Sequence, residues 1–333
     1  MSERNRLYPL KFDPIFKDYV WGGRNLQTQL RRAIPDGIIA ESWEIAAHAN
    51  GSTAVSNGPL AGQTLPDLLV QWGTDLVGTR NEDAVSTGRF PLLIKLLDAN
   101  RWLSVQVHPD DAYALKYEQD LGKTEMWIVL HAEPDAEIIY GFKAGVDQAI
   151  FAQALAEERC EEWLNRLSIQ SGDVVMVPAG SIHALGPGAI VAEIQQNSDT
   201  TYRIYDWGRP RPIHVEQALS VLNFELVEPG VTAPIRVPDH VYGPGVESDI
   251  IGQCGYFHTE RIAVTGHDMV TIEGCCSGET FEIWAVLAGE ANVVANGGST
   301  PICAIEWVLL PASLGNFQIK GKAGCQLLRI YVP

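Results

Sequence analysis

Short runs rich in Val, Ile, Trp and Tyr recur along the whole chain. Gly or Pro interrupts them every few residues, a pattern that suits many short strands better than long helices. Clear examples are Met126–Leu130, Asp173–Val177, Ala189–Ile194, Ile283–Leu287 and Leu327–Val332. The 31 glycines and 19 prolines are scattered rather than pooled in one linker. Four stretches carry helical signals instead. Thr64–Trp72 opens on a capping threonine with proline just inside, and Pro109–Tyr117 has acids in its first turn, where the helix dipole favours them. Ala149–Arg159 and Ile213–Leu222 read likewise. The sum is a mainly β chain with helical insertions, most economically one or two antiparallel barrels.

An internal echo favours two. Gly122–Leu130 resembles Gly278–Leu287, with Glu125 opposite Glu282 and Trp127 opposite Trp284. Downstream, Val175–Pro178 resembles Val308–Pro311. From glutamate to proline is 53 residues in the first copy and 29 in the second, and the helical patch near 149–159 accounts for most of the difference. A length of 333 residues also suits about two domains at roughly 150 residues each. The proline-bearing stretch 231–238 marks the expected boundary, giving domains at 1–232 and 233–333.

Asp and Glu number 41 against 24 Lys and Arg, a formal charge of −17. Such a surface repels phosphate backbones and anionic lipid, which argues against nucleic-acid and membrane partners. No apolar run approaches the ~18 residues of a membrane span. The first eight residues have no apolar core of a secretory signal, so the expectation is a soluble cytoplasmic protein. The six cysteines (160, 254, 275, 276, 303 and 325) form no C-x-x-C pair and read as reduced, mostly buried thiols.

The chemistry concentrates in Leu103–Asp111. Gln106 and His108 are two apart, so on a strand they share a face. Glu125 and His183 follow downstream. An amide oxygen, two imidazoles and a carboxylate make a mixed N/O set for a divalent metal, with positions left for water or substrate. Each residue alone is ordinary, and a lone strand histidine is most often structural. Together they resemble the two cupin motifs. Gly172 and Pro178-Ala-Gly180-Ser-Ile-His183 match the second, where a Pro-x-Gly turn presents a histidine inward. Gln106-Val-His108 with Glu125 matches the first, with glutamine for its first histidine and a helical insertion before the glutamate. The fold class implied is two cupin-type (jelly-roll) barrels with helical insertions in and after the first. In the second copy Asn316 stands where the first has His183, and no Gln-x-His or His-x-His precedes Glu282. The C-terminal barrel is therefore expected to be metal-free.

The chain further resembles the type I mannose-6-phosphate isomerase family in its short bacterial form, over nearly its whole length. The resemblance runs through Phe16–Gly23, Glu41–Ile45, Phe90–Leu97, Leu103–Asp110, Lys123-Thr-Glu125, Pro178–Ala184 and Ser198–Arg203. The Ser-x-Gln-x-His-Pro-Asp string coupled to Lys-x-Glu is its most specific part. It implies an isomerase interconverting mannose 6-phosphate and fructose 6-phosphate, with one Zn2+ per chain. Gln106, His108, Glu125 and His183 stand where the family has its zinc ligands, and Lys95, Ser104, Lys123, Asp199 and Arg203 at its substrate-site positions. Long members carry a separate helical domain that this chain is too short to hold.

Moving a carbonyl from C1 to C2 passes through an enediol whose charge gathers on two adjacent oxygens, and a nearby cation stabilises it. Lys123 faces the same way as Glu125 on an extended segment. It reads either as a base beside a dication or as the partner of an acid or phosphate. Arg203 suits enediolate oxygens or phosphate; Asp199 suits a proton relay or the orientation of Arg203. Lys95, in the apolar run Leu92–Leu97, needs a buried partner, either a phosphate near Ser104 or a carboxylate. Arg209 and Arg211 are further candidates for the phosphate, but Pro210 and Pro212 suggest an exposed loop, where solvation is the default, and the other six histidines (48, 131, 214, 240, 258 and 267) receive no role. Two other classes remain at this level: a cupin that binds a sugar phosphate without converting it, and an iron-dependent cupin oxygenase.

Overall fold

The structure, a computed structural model, describes residues 7–238, 240–266 and 269–333 of the chain. Residues 1–6, read above for a leader, and His267 lie outside the described residues. The five runs singled out as strands form Glu125–Ala132, Val174–Val177, Ala189–Gln196, Glu282–Ala288 and Gln326–Tyr331. The four helical stretches form Leu65–Trp72, Asp111–Tyr117, Gln148–Ala156 and Val215–Val221. Their caps explain where they start. Thr64 and Asp67 make a reciprocal capping box, while Asp110 and Asp147 each accept a backbone N–H three residues on.

Contacts group the chain into two compact units that are not sequential. One comprises Phe16–Ser42 and Ile94–Thr232; the other comprises Met1–Ile15, Trp43–Leu93 and Ala233–Pro333. Residues from the first third of the chain thus pack with the C-terminal segment. Leu10 exchanges backbone hydrogen bonds of 2.8 Å with Leu309, Thr79 N–H donates to Gly278 O at 3.0 Å, and the rings of Phe90 and Phe281 sit 4.7 Å apart.

In the unit holding Ile94–Thr232, one sheet runs in the order Leu164–Ser168, Glu137–Phe142, His183–Leu185, Val105–Val107, Tyr202–Tyr205. A second contains Val174–Val177, Glu125–Ala132, Ala189–Gln196 and Leu92–Ala99 in that order. Alternate residues of both enter one buried cluster: Trp127 and Val129, Val175 and Val177, Val191 and Ala189, Ile138 and Tyr140. The other unit repeats the scheme. Strands His258–Val264, Gln326–Tyr331, Glu282–Ala288 and Trp307–Leu310 share a core with Val270–Cys276, Gly315–Gly321, Glu290–Ala295 and Gly298–Cys303. The chain is mainly β, as expected, but the described ladders remain open sheets rather than closed barrels: side chains, not hydrogen bonds, join the two sheets of each pair.

The internal echo is carried in identical register. Val175 pairs with Trp127 and Val177 with Glu125; Val308 pairs with Trp284 and Leu310 with Glu282. What differs is the next strand. Trp127 faces Glu193, whereas Trp284 faces Arg329. Arg329 Nη2 then lies 2.5 Å from Glu282 Oε1, and Trp284 Nε1 donates to Glu282 Oε2 at 2.7 Å. Both carboxylate oxygens of the second glutamate are thereby engaged.

All six cysteines are free, but only Cys160, Cys276 and Cys325 are buried. Cys275 and Cys303 are exposed, which corrects the expectation of mostly buried thiols. Strand alternation is the reason: adjacent Cys275 and Cys276 point to opposite faces, and only Cys276 enters the core. No helix among the described residues is long and apolar enough to cross a membrane.

Candidate metal centre

Register builds the site. Across the first sheet, Tyr140 pairs with His183, His183 with Gln106, and Gln106 with Arg203, so all four side chains leave the same face. From the second sheet come Glu125 and Glu193. His108 follows its strand just before the helix Asp111–Tyr117, where the chain reverses. Gly122 lets the return pass close by, since a Cβ there would meet the Asp111 backbone nitrogen at 2.4 Å. The Pro178–Gly180 turn that precedes His183 needs glycine: Gly180 has φ +85° and its N–H donates to His108 O at 2.8 Å.

Ligand atoms of His108, Glu125 and His183 lie within 4.8 Å of one another, all three residues being buried. His108 Nδ1–H donates to Thr200 O and His183 Nδ1–H to Ser181 O, each at 2.9 Å. These bonds fix the tautomer, leaving the Nε2 lone pairs aimed inward, the usual arrangement behind metal-binding imidazoles. His108 Nε2 is 3.5 Å and His183 Nε2 3.4 Å from the Glu125 carboxylate. Lys123 Nζ stands 2.8 Å from Glu125 Oε2, and no other donor among the described residues hydrogen-bonds that carboxylate. A fully buried carboxylate in that state, faced by two imidazole lone pairs, is a donor set suited to a divalent ion. The Gln106 amide adjoins it, with Nε2 3.2 Å from His183 Nε2 and Oε1 accepting from Ser104 Oγ at 3.3 Å.

Burial lowers the pKa of His183 to about 4 and that of His108 well below the ordinary value; the Lys123 charge adds to both. Both imidazoles are therefore neutral, as ligands must be. Burial, then the charge of Glu193, raises Glu125. Burial opposes the Lys123 ammonium, but Glu125 and Glu193 overcome it and its pKa is raised.

A cavity of about 310 Å³ opens beside this cluster, with Gln106, Ser104, Lys123, Lys95, Asp199 and Arg203 in its wall. Every residue named from the sequence thus lies in the cavity wall or the adjoining cluster. Lys95 is almost fully buried, with Nζ 3.7–3.8 Å from carboxylate oxygens of Glu41, Glu193 and Asp199. Arg203 Nη1 donates to Pro212 O at 3.0 Å, and its buried Nε has no hydrogen-bond partner among the described residues.

Residues 9–143 match the family model described as phosphomannose isomerase type I, catalytic domain. The chain is 37% identical over 321 residues to the probable mannose-6-phosphate isomerase GmuF of Bacillus subtilis (strain 168), across 94% of this chain and 96% of that protein. This chain belongs to the type I mannose-6-phosphate isomerase family. It is also 34% identical over 319 residues to the mannose-6-phosphate isomerase of Streptococcus mutans serotype c, covering 94% of this chain and 95% of that one. The crystal structure of the Bacillus subtilis mannose 6-phosphate isomerase superposes with a TM-score of 0.85 at 33% identity, over 97% of this chain and 99% of that one.

Several wall residues of this family member were missed in the sequence. Glu193 accepts from Trp127 Nε1 at 2.9 Å and lies 3.8 Å from Lys95 and 3.9 Å from Lys123. Its position in the apolar run Ala189–Ile194 was the available signal: a charge there needs partners. His214, given no role, lines the cavity, and its Nδ1 accepts from Arg203 N–H at 3.1 Å. Arg209 and Arg211 are not a solvated loop. Arg209 Nη2 and Arg211 Nε and Nη2 each lie 2.6 Å from the buried Asp206 carboxylate, and Arg211 lines the cavity. The loop prolines hid this because Asp206 lies outside the motif residues.

Proposed function

We propose that this protein is a metal-dependent aldose–ketose isomerase that interconverts mannose 6-phosphate and fructose 6-phosphate through an enediol. The observation that carries the reading is a buried set of His108, Glu125 and His183 adjoining a cavity walled by Gln106, Lys123 and Arg203. Gln106, through its amide oxygen, would join those three in holding one Zn2+, whose closed shell brings no redox chemistry of its own. Bound there, the ion supplies Lewis-acid stabilisation for charge on neighbouring substrate oxygens.

The remaining work belongs to side chains. Lys123 Nζ, 2.8 Å from Glu125 Oε2, is the group assigned to move a proton between the adjacent carbons, a role that requires the charge of a bound dication to push the lysine toward its neutral form. Arg203 faces the cavity and supports the developing oxyanions. Asp199 and Lys95, 3.8 Å apart, orient one another at the wall, and Ser104 supplies a hydroxyl to the sugar. Buried Trp21 and Trp127 help to limit water at the cavity wall.

The two open sheet pairs read as cupin-type sandwiches, the catalytic residues all falling within 1–232 and the segment 233–333 forming a metal-free copy. The engagement of Glu282 by Arg329 and Trp284 supports the latter assignment. A sugar phosphate does not cross membranes unaided, which favours a cytoplasmic site of action and a small-molecule partner.

A coupled assay with mannose 6-phosphate, run before and after chelation with metal content measured on the same sample, tests the reading. Turnover lost on chelation and regained with Zn2+ is expected. No turnover by metal-replete protein refutes it. Tight binding of the sugar phosphate without conversion would favour the binding-module alternative.

A further inference from the structure

His108 stands just beyond the strand Val105–Val107, and the bond from its Nδ1–H to Thr200 O aims its imidazole. That carbonyl lies between the strands Ala189–Gln196 and Tyr202–Tyr205, in a connection that is neither helix nor strand. With no ladder to fix it, the position of the carbonyl depends on side chains. The helical insertion supplies them. Asp120, which follows the helix Asp111–Tyr117, accepts through Oδ2 from both Ser198 Oγ at 3.1 Å and Thr200 Oγ1 at 3.0 Å. Thr200 N–H in turn donates to Ser198 Oγ at 3.3 Å, so the three side chains close on one another. Asp199 sits between the two anchored residues, with its carboxylate 3.8 Å from Lys95 Nζ at the cavity wall.

The insertion also grips both ends of the connection. Gln196 Nε2 donates to Asp111 Oδ1 at 2.9 Å, and Tyr202 Oη donates to Glu118 Oε1 at 2.7 Å. Asp111 Oδ1 accepts Gly122 N–H as well, at 2.8 Å, which closes the insertion just before Lys123. A hydroxyl bonded to a carboxylate is held more strongly than one bonded to a neutral group. The bond behind an imidazole decides where its other nitrogen points. Without the Asp120 carboxylate, Thr200 keeps its carbonyl but loses the anchor that stops it turning away from His108.

We propose that Asp120 is a positioning residue of the metal centre: by holding Ser198 and Thr200 it fixes the carbonyl that aims His108 Nε2 inward. The same two bonds set Asp199 beside Lys95. The inference rests on the metal-centre reading and extends it to a residue outside both the ligand cluster and the cavity wall.

The readout is Zn2+ affinity, measured without substrate by competition with a chromogenic chelator. Asp120→Ala is expected to raise the dissociation constant roughly 10- to 100-fold. Asp120→Asn, whose amide oxygen can still accept both hydroxyls, should recover most of that loss. Thr200→Val removes the hydroxyl but leaves the carbonyl; it should weaken binding too, and it serves as the probe if Asp120→Ala does not fold. Combining Asp120→Ala with Thr200→Val should weaken binding little beyond Asp120→Ala alone, because both changes break one link. Asp147→Ala, which strips the cap from the helix Gln148–Ala156 in the same unit, controls for a general loss of stability and should leave the affinity unchanged. Unchanged affinity in both Asp120→Ala and Thr200→Val overturns the proposal, as does an equal loss in Asp147→Ala or a double variant in which the two effects simply multiply. No Zn2+ binding by the unaltered protein removes the metal centre and this inference with it. Tight, Asp120-dependent binding in a protein that does not convert mannose 6-phosphate would remove the isomerase reading and leave the positioning role standing.

Discussion

Removing and restoring the divalent ion should move the melting temperature by an amount that the fold dictates. In the proposed centre the ion would bind a preformed native cluster, whereas the unfolded chain scatters Gln106, His108, Glu125 and His183 over 78 positions of sequence. At free ion a hundredfold above its dissociation constant, the native state gains about 2.7 kcal/mol. Unfolding entropy is about 2.1 cal/mol/K per residue, so the whole chain melting together should shift by about 4 °C. If the unit of Phe16–Ser42 and Ile94–Thr232 melts alone, about half the residues are involved and the shift should be about 8 °C. Differential scanning calorimetry of chelated and Zn2+-loaded protein reads both outcomes and tells them apart. Glu125→Gln should abolish the shift by removing the charged ligand. Glu282→Gln, in the other unit, should retain it. A shift that persists in Glu125→Gln, or no shift in the unaltered protein at saturating ion, would refute the proposed metal centre.

Lys123→Met should abolish turnover while the bound metal, measured by atomic absorption, is kept. Loss of metal together with activity would instead make Lys123 a support for Glu125. Arg329→Met strands the buried Glu260 and Glu282 and should cost about 3–5 kcal/mol in urea unfolding, less when Glu282→Gln is added. Burial opposes the Glu260 charge, but His258, Tyr242 and Arg329 overcome it and its folded pKa lies below the ordinary 4.5. Its stabilising contribution should therefore be present above pH 4.5 and disappear as pH falls through the folded value. Urea midpoints at pH 5.5 and pH 3 in the unaltered protein and Glu260→Gln check the sign. Under native conditions a maleimide should label Cys275 and Cys303 rapidly, while burial, which pushes the Cys160 thiol up to about 11, keeps that residue slow. Mass spectrometry of the labelled peptides reports the order.

Strands and helices were legible because their signals are local. Thr64, Asp110 and Asp147 start helices through hydrogen bonds to residues three positions away, and the continuous apolar run Met126–Leu130 in Glu125–Ala132 marks a strand buried on both faces. The candidate ligand cluster could be assembled from sequence because Gln106 and His108 are two apart at the end of one strand and His183 follows a turn that needs Gly180. Glu193, His214 and Arg211 were not, since their significance depends on partners across the sheets. Lys95 could be recognised as needing a partner, but not which one: three carboxylates from Glu41, Glu193 and Asp199 meet it only after folding.

By itself, then, the order of residues determined the mainly β character, the helix starts, the duplicated Glu-x-Trp strand and the identity of the candidate ligands, all of which depend on near neighbours or short spacing. Tertiary structure alone decided that residues 43–93 pack with the C-terminal segment and that Arg329 engages the second glutamate. It also decided that one part of the cavity gathers carboxylates and another guanidiniums. Those outcomes depend on which distant strands become adjacent, and charges far apart in the chain interact only once folding brings them within a few ångströms.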